Sequence, residues 1–157
     1  MSAEDNKRTI ERFYGAFGRR DGEEMASCYS LRARFSDPVF PGLKNDEPGA
    51  MWRMLTGRSD DLQVDLLEHD ADETSGSAHW KANYTFTQTG RPVENDVHAR
   101  FVFADGQIEQ HEDSFSFFRW SRQALGAPGL LLGWTPILKS ATRKKARASL
   151  DQFMARQ

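Results

Sequence analysis

Apolar positions recur along this chain with two spacings, helical near its ends and alternating through its middle. Ile10, Phe13, Tyr14 and Phe17 fall at i, i+3, i+4 and i+7, which puts four large side chains on one helical face. Ser2 with Asp5 gives that helix a capping pattern. Arg19 and Arg20 suit its C-terminal end, where cations meet the negative pole of the helix dipole. Asp21 is placed to cap a second, short helix, with Glu24 three residues on and Met25, Cys28 and Tyr29 facing inward. From Arg34 to Gly42 two prolines and a glycine forbid a long regular element, so Phe35 ends a short strand and Asp37 stands at its end. Pro48 fits the first turn of a third helix and Gly57 its exit; this helix buries Met51, Met54 and Leu55 together with Trp52.

Alternation then takes over. Leu62, Val64 and Leu66 alternate with Gln63 and Asp65. After a polar turn at Glu73 to Ser77, the residues Ala78, Trp80, Ala82, Tyr84 and Phe86 alternate with His79, Lys81, Asn83 and Thr85, marking one buried and one wet face. Thr89-Gly90-Arg91-Pro92 turns the chain into a hairpin centred on Asp105-Gly106, a strong tight-turn signal. Before that turn Val97, Ala99, Phe101 and Phe103 share a face; after it His111, Asp113, Phe115 and Phe117 do. A two-residue turn pairs Phe103 with Ile108, but continuing that register sets Val97 against Ser114. One extra residue near Glu109-Gln110 instead sets Phe101 opposite His111, Ala99 opposite Asp113 and Val97 opposite Phe115. A β-bulge is therefore expected there. Beyond Trp120, the segment Gln123 to Trp134 is glycine-rich yet apolar, which predicts a buried loop or short helices at an interface. Pro136 opens a last helix carrying Ile137, Leu138, Ala141, Leu150 and Phe153, with Arg143, Lys144, Lys145 and Arg147 mostly outward.

Helices followed by a meander of long strands, within one domain's length of 157 residues, read as an α+β fold. The net charge of −2 supplies no global field for nucleic acid, and the basic run of the last helix lacks interleaved aromatic rings, so it reads as a solvated face. Cys28 is the only cysteine, which excludes an intramolecular disulfide and a cysteine metal cluster. No apolar run reaches membrane-spanning length and the N-terminus has no signal-peptide core. A cytoplasmic protein without nucleic-acid or membrane partners is expected. His79 and His98 point outward and the histidines lie on separate strands, so no metal is expected. The absence of a phosphate loop, dinucleotide fingerprint or nucleophile elbow gives no cofactor either.

Five segments carry a resemblance in their order and spacing. They are Phe13-Tyr14-Gly15-Ala16-Phe17 with Asp21, Phe35-Ser36-Asp37-Pro38, Met51-Trp52, Asp105-Gly106-Gln107-Ile108, and His111-Glu112-Asp113-Ser114-Phe115. Together they resemble the nuclear-transport-factor-2-like superfamily, and within it the SnoaL-like branch related to polyketide cyclases and ketosteroid isomerases. The resemblance implies a single-domain cone over residues 1–157, in which a curved antiparallel sheet wraps around N-terminal helices. Residues 7–120 would form the core, and 121–157 an extension ending in an added helix. It further implies a pocket and frequent homodimers.

The resemblance also implies candidate chemistry. Asp37 lies in a segment similar to the one that holds the isomerase general base; read without the resemblance, an aspartate before proline shapes a turn. His111 and Asp113 resemble the polar pair on the last strand of SnoaL-like proteins; the alternative is an exposed or purely structural pair. The donors that bind the developing oxyanion in the isomerase fall at Phe13 and Ala99, neither of which can donate a hydrogen bond, so steroid isomerisation by that mechanism is not expected. Asp37, His111 and Asp113 are therefore the candidate catalytic groups, and Tyr14, Trp80, Tyr84, Phe101 and Phe115 the candidate ligand contacts. Two functions fit. One is a pocket protein for a small apolar, carbonyl-containing molecule, with carboxylate and histidine acid–base chemistry for isomerisation, cyclisation or hydration. The other is a non-catalytic binding or dimerisation module.

Overall fold

The computed structural model describes residues 2–157. Helix α1 (Ala3–Gly18) starts on a full capping box: Ser2 Oγ accepts from Asp5 N at 3.1 Å while Ser2 N donates to Asp5 Oδ2 at 3.0 Å. Its apolar face is buried, with Ile10 and Phe13 inaccessible to solvent. Asp21 caps α2 (Gly22–Ser27) through Glu24 N. β1 (Tyr29–Ser36) and the short β2 (Leu43–Lys44) follow, then α3 (Glu47–Arg58) with its proline in the first turn. Gly57 lies within α3 rather than past its end.

β3 (Gln63–Ala71), β4 (Ser75–Phe86), β5 (Arg91–Ala104) and β6 (Gln107–Ser114) form the meander. The six strands make one curved sheet in the order β2-β1-β6-β5-β4-β3. Four of its pairings are antiparallel and one, β1 with β6, is parallel: α3 carries the chain from β2 to the far edge at β3, and the meander then brings its last strand, β6, alongside β1. The Asp105-Gly106 turn adopts the positive φ values, 52° and 76°, that a tight hairpin needs. Phe103 pairs with Ile108, Val102 with Gln110 and Phe101 with His111, so Glu109 is the bulged extra residue and Ala99 meets Asp113. The expected partner of Val97, Phe115, lies past the end of β6 and is unpaired.

Two features of the C-terminal extension differ from expectation. Ser116 caps α4 (Phe117–Leu125) by accepting from Arg119 N, so Phe117 belongs to a helix and not to the inward face of a strand. The apolar segment also forms a short helix, α5 (Ala127–Leu132), before α6 (Pro136–Ala155), but it is not buried. Leu131 is 68% exposed, Trp134 75% and Ile137 76%. Three consecutive residues of a helix point around more than half of its circumference, so no one packed face can take all three leucines.

The main core lies between α1, α3 and the inner sheet face. A satellite cluster of Val93, Phe117, Trp120 and Ala124 attaches α4 to β5, where the Gln123 amide pairs with both backbone groups of Glu94. α6 docks through the fully buried Leu150, an ion pair of Arg147 with Glu47, and Arg143 donating to the Pro38 carbonyl. The extension therefore closes the open end of the curved sheet.

Candidate functional site

Between the inner sheet face, α3, α4 and α6 lies a cavity of about 390 Å³. That volume suits a small organic molecule. Its wall is mostly apolar: Phe17, Trp52, Trp80, Phe86, Val97, Phe115, Trp120 and Leu138 contribute, and Asp37, Tyr84, Asp113 and Asn95 are among the polar residues that line it. Arg58 and Lys145 also reach its lining.

Asp37 follows directly on β1. Its Oδ1 accepts from Val39 N at 2.7 Å and Phe40 N at 2.6 Å, which folds the Pro38 turn. No protein group bonds Oδ2 among the described residues, so one oxygen holds the turn while the other is left for the cavity. The residue keeps some accessible surface along the cavity, yet protein surrounds its carboxylate. That desolvation, with a smaller like-charge contribution from Asp113, pushes the Asp37 pKa from 3.8 to about 6 against the two backbone hydrogen bonds that lower it.

Asp113 is held from behind. His111 Nε2 lies 2.8 Å from Asp113 Oδ1, and His111 Nδ1 lies 2.7 Å from Tyr29 Oη. Trp52 Nε1 in turn donates to Tyr29 Oη at 2.8 Å. The indole can only donate, so the Tyr29 oxygen accepts from it and sends its own proton to Nδ1. This assigns the His111 proton to Nε2, where it is donated to Asp113. Both His111 and Asp113 are buried, and the ring is boxed by Phe13, Phe35, Phe101 and Trp52. His111 does not itself line the cavity; it positions the residue that does.

Tyr84 Oη accepts from Trp120 Nε1 at 2.9 Å. Its own proton has no acceptor among the described residues, and burial pushes its pKa up to about 12, so the hydroxyl stays a donor on the cavity wall. Trp80 and Phe115 line the cavity as well. Tyr14 and Phe101 do not: both are packed in the core behind it, with the Tyr14 ring 5.8 Å from Trp80 and 6.4 Å from Phe101. They are brought to the right face of their elements, but α1 sits too close to the sheet there to leave space.

No local signal in the sequence marks Tyr29, Trp52 or Trp120 for their hydrogen bonds. In sequence Tyr29 and Trp52 read as apolar core, and only the fold brings their polar atoms into a chain ending at Asp113. On the opposite sheet face, His79, Asp96 and His98 bring ligand-type atoms within 4.8 Å of one another. His79 Nε2 is bonded to Asp96 Oδ1 at 2.6 Å, and the two imidazoles stack 4.2 Å apart at an interplanar angle of 8°. Ring lone pairs in two parallel planes do not converge on one ion, so this trio reads as a hydrogen-bonded surface cluster.

The family model described as the SnoaL-like domain matches residues 10–111. No match was found among curated proteins. Among solved structures, an LEH-like epoxide hydrolase of M. tuberculosis is 18% identical with a TM-score of 0.66, over 87% of this chain and 96% of that one. A protein proposed to be a polyketide cyclase, from Xanthomonas campestris pv. campestris, is 18% identical with a TM-score of 0.67, over 77% and 97%. A de novo designed protein with a curved β-sheet is 14% identical with a TM-score of 0.60, over 92% and 96%. Likeness that extends to a designed sheet speaks for the fold and leaves the chemistry to the site.

Proposed function

This chain belongs to the SnoaL-like domain family, with the NTF2-like fold, and from that premise we propose that it is a cofactor-independent acid–base enzyme acting on a small apolar carbonyl compound. The observation that carries the reading is the pair of carboxylates, Asp37 and Asp113, on the wall of one apolar cavity, the first with a pKa of about 6. A base poised near neutrality both holds and releases a proton readily, which is what proton transfer between carbon atoms requires.

The residues divide the work. Asp37 Oδ2 takes the proton beside the substrate carbonyl. Tyr84 holds the carbonyl oxygen as negative charge builds on it, supplying the donor that Phe13 and Ala99 cannot. Asp113, fixed by His111 and the Tyr29–Trp52 chain, is the second proton carrier; Trp80 and Phe115 pack the apolar body of the substrate. Return of the proton to another carbon gives isomerisation, and attack of the stabilised enolate on a second carbonyl gives cyclisation. The open cavity supports ligand binding over a dimerisation module, whose cone would be filled by side chains, and the two carboxylates on its wall favour catalysis over binding alone.

The test begins with native mass spectrometry of the purified chain incubated with cell extract, followed by turnover assays on the ligand retained. Asp37→Asn and Asp113→Asn keep shape and remove the titratable proton. Each is expected to lower kcat by about 100-fold or more while the ligand stays bound. Unchanged turnover and an unchanged pH profile in both variants would leave a binding protein.

A further inference from the structure

The C-terminal extension carries charge and apolar surface that the cavity does not explain. Seven of the 21 Lys and Arg residues and only one of the 23 Asp and Glu lie in residues 121–157, so that stretch carries +6 and the rest of the chain −8. Arg122, Lys139, Arg143, Lys144 and Lys145 have no carboxylate within ion-pair distance among the described residues. In the middle of this basic segment stand Leu130, Leu131, Leu132, Trp134 and Ile137, each between 48% and 76% exposed. Scattered exposed apolar residues are ordinary; five large ones in eight positions are not.

We propose that this extension docks on an anionic lipid surface, with the Leu130–Trp134 tip entering the headgroup layer and the basic side chains of α4 and α6 meeting lipid phosphates. An exposed Trp and leucines ringed by Lys and Arg have the composition of a segment lying in the membrane interface. Among the described residues no helix is long and apolar enough to cross a membrane, which concerns spanning and not surface contact. A second copy of the chain fits this patch less well. A two-fold contact sets the same patch against itself, and here that opposes the five cations without a carboxylate partner on one copy to the same five on the other.

The position has a consequence for the cavity. Leu125 beside the tip and Leu138, Ala141 and Lys145 of α6 all line it, so the docking segment is also cavity wall. An apolar ligand partitions into bilayers, and a cavity wall seated on the bilayer shortens its path through water. This last step rests on the cavity binding an apolar molecule; the docking itself does not, and its test involves no turnover.

The full chain is sedimented with phosphatidylcholine vesicles, with or without about one-third phosphatidylglycerol. Binding at least tenfold stronger to the anionic vesicles, weakening as salt is raised, is expected. Leu131→Asp with Trp134→Ser should reduce it by tenfold or more, and Lys139→Glu with Lys144→Glu should abolish the preference for anionic lipid. All four sites are at the surface or its margin, so the fold is retained. Failure to bind anionic vesicles, or equal binding by the Leu131/Trp134 variant, overturns the proposal. So does a dimer in the absence of lipid that Leu131→Asp splits, since the patch would then be a self-interface.

Discussion

At the scale of single residues, the two oxygens of Asp37 have different surroundings. Oδ1 folds the turn, and Oδ2 is left to the cavity. The cost falls on stability, and its sign follows from the raised pKa. A carboxyl whose pKa rises on folding binds more protons folded than unfolded between the two values, so stability drops as pH rises through that window. From 3.8 to about 6 the penalty reaches at most roughly 3 kcal/mol. Asp37→Asn keeps an acceptor for both backbone N–H groups and escapes the penalty. Urea denaturation of the two proteins at a series of pH values should show the variant gaining on the parent from pH 4 to pH 6 and holding that gain above. A difference that stays flat across the window would mean that the Asp37 carboxylate is well hydrated.

At the scale of elements, close approach decides which glycines matter. α2 and α3 pack so tightly that a Cβ on Gly22 would lie 2.6 Å from Thr56 Oγ1 and 2.7 Å from the Arg53 Cα, while a Cβ on Gly57 would meet nothing within 4 Å. Backbone cannot give way as a side-chain tip can. Gly22→Ala should therefore destabilise the fold by about 1–3 kcal/mol, in the range of core overpacking. Gly57→Ala, within the same helix pair, should stabilise it by roughly 0.5 kcal/mol by restricting the unfolded chain. Chemical denaturation of both variants checks the pair; the same sign for both would show that α2 and α3 are not in rigid contact. The bulge at Glu109 acts at this scale too. One inserted residue moves His111 and Asp113 to the inner face, and without it the two groups would point to solvent.

At the scale of the whole molecule, the outer sheet face bears on assembly. Val102 of β5 is 38% exposed on the face that carries the His79–His98–Asp96 cluster, and Leu31 is 94% exposed in the irregular stretch of β1. We propose that two copies pair through this face, leaving the basic extension free on the far side. Sedimentation at micromolar concentration should give a species of about twice 17.9 kDa. A lone 17.9 kDa species, or a dimer unaffected by Val102→Asp, would argue that the face stays solvated.

The sequence by itself determined the elements and their inward faces. Caps at Ser2 and Asp21, the period-two runs through Trp80 and Phe101, the Asp105-Gly106 turn and the bulge are local signals, each set by a handful of neighbouring residues. Parity within a strand also put Asp113, Trp80 and Tyr84 on the right surface. Tertiary structure alone decided what lay in front of that surface. Phe101 shares the inward parity of Trp80, and Tyr14 lies on the apolar face of α1, yet both are core and Trp80 is wall, because the distance from sheet to helix varies along the sheet and no local pattern encodes it. The Trp52–Tyr29–His111–Asp113 chain joins residues from α3, β1 and β6, and Trp120 reaches Tyr84 from a helix the alternation pattern had extended as strand. Hydrogen bonds between side chains far apart in sequence depend on where whole elements come to rest, and that is fixed by packing, not by the residues' neighbours along the chain.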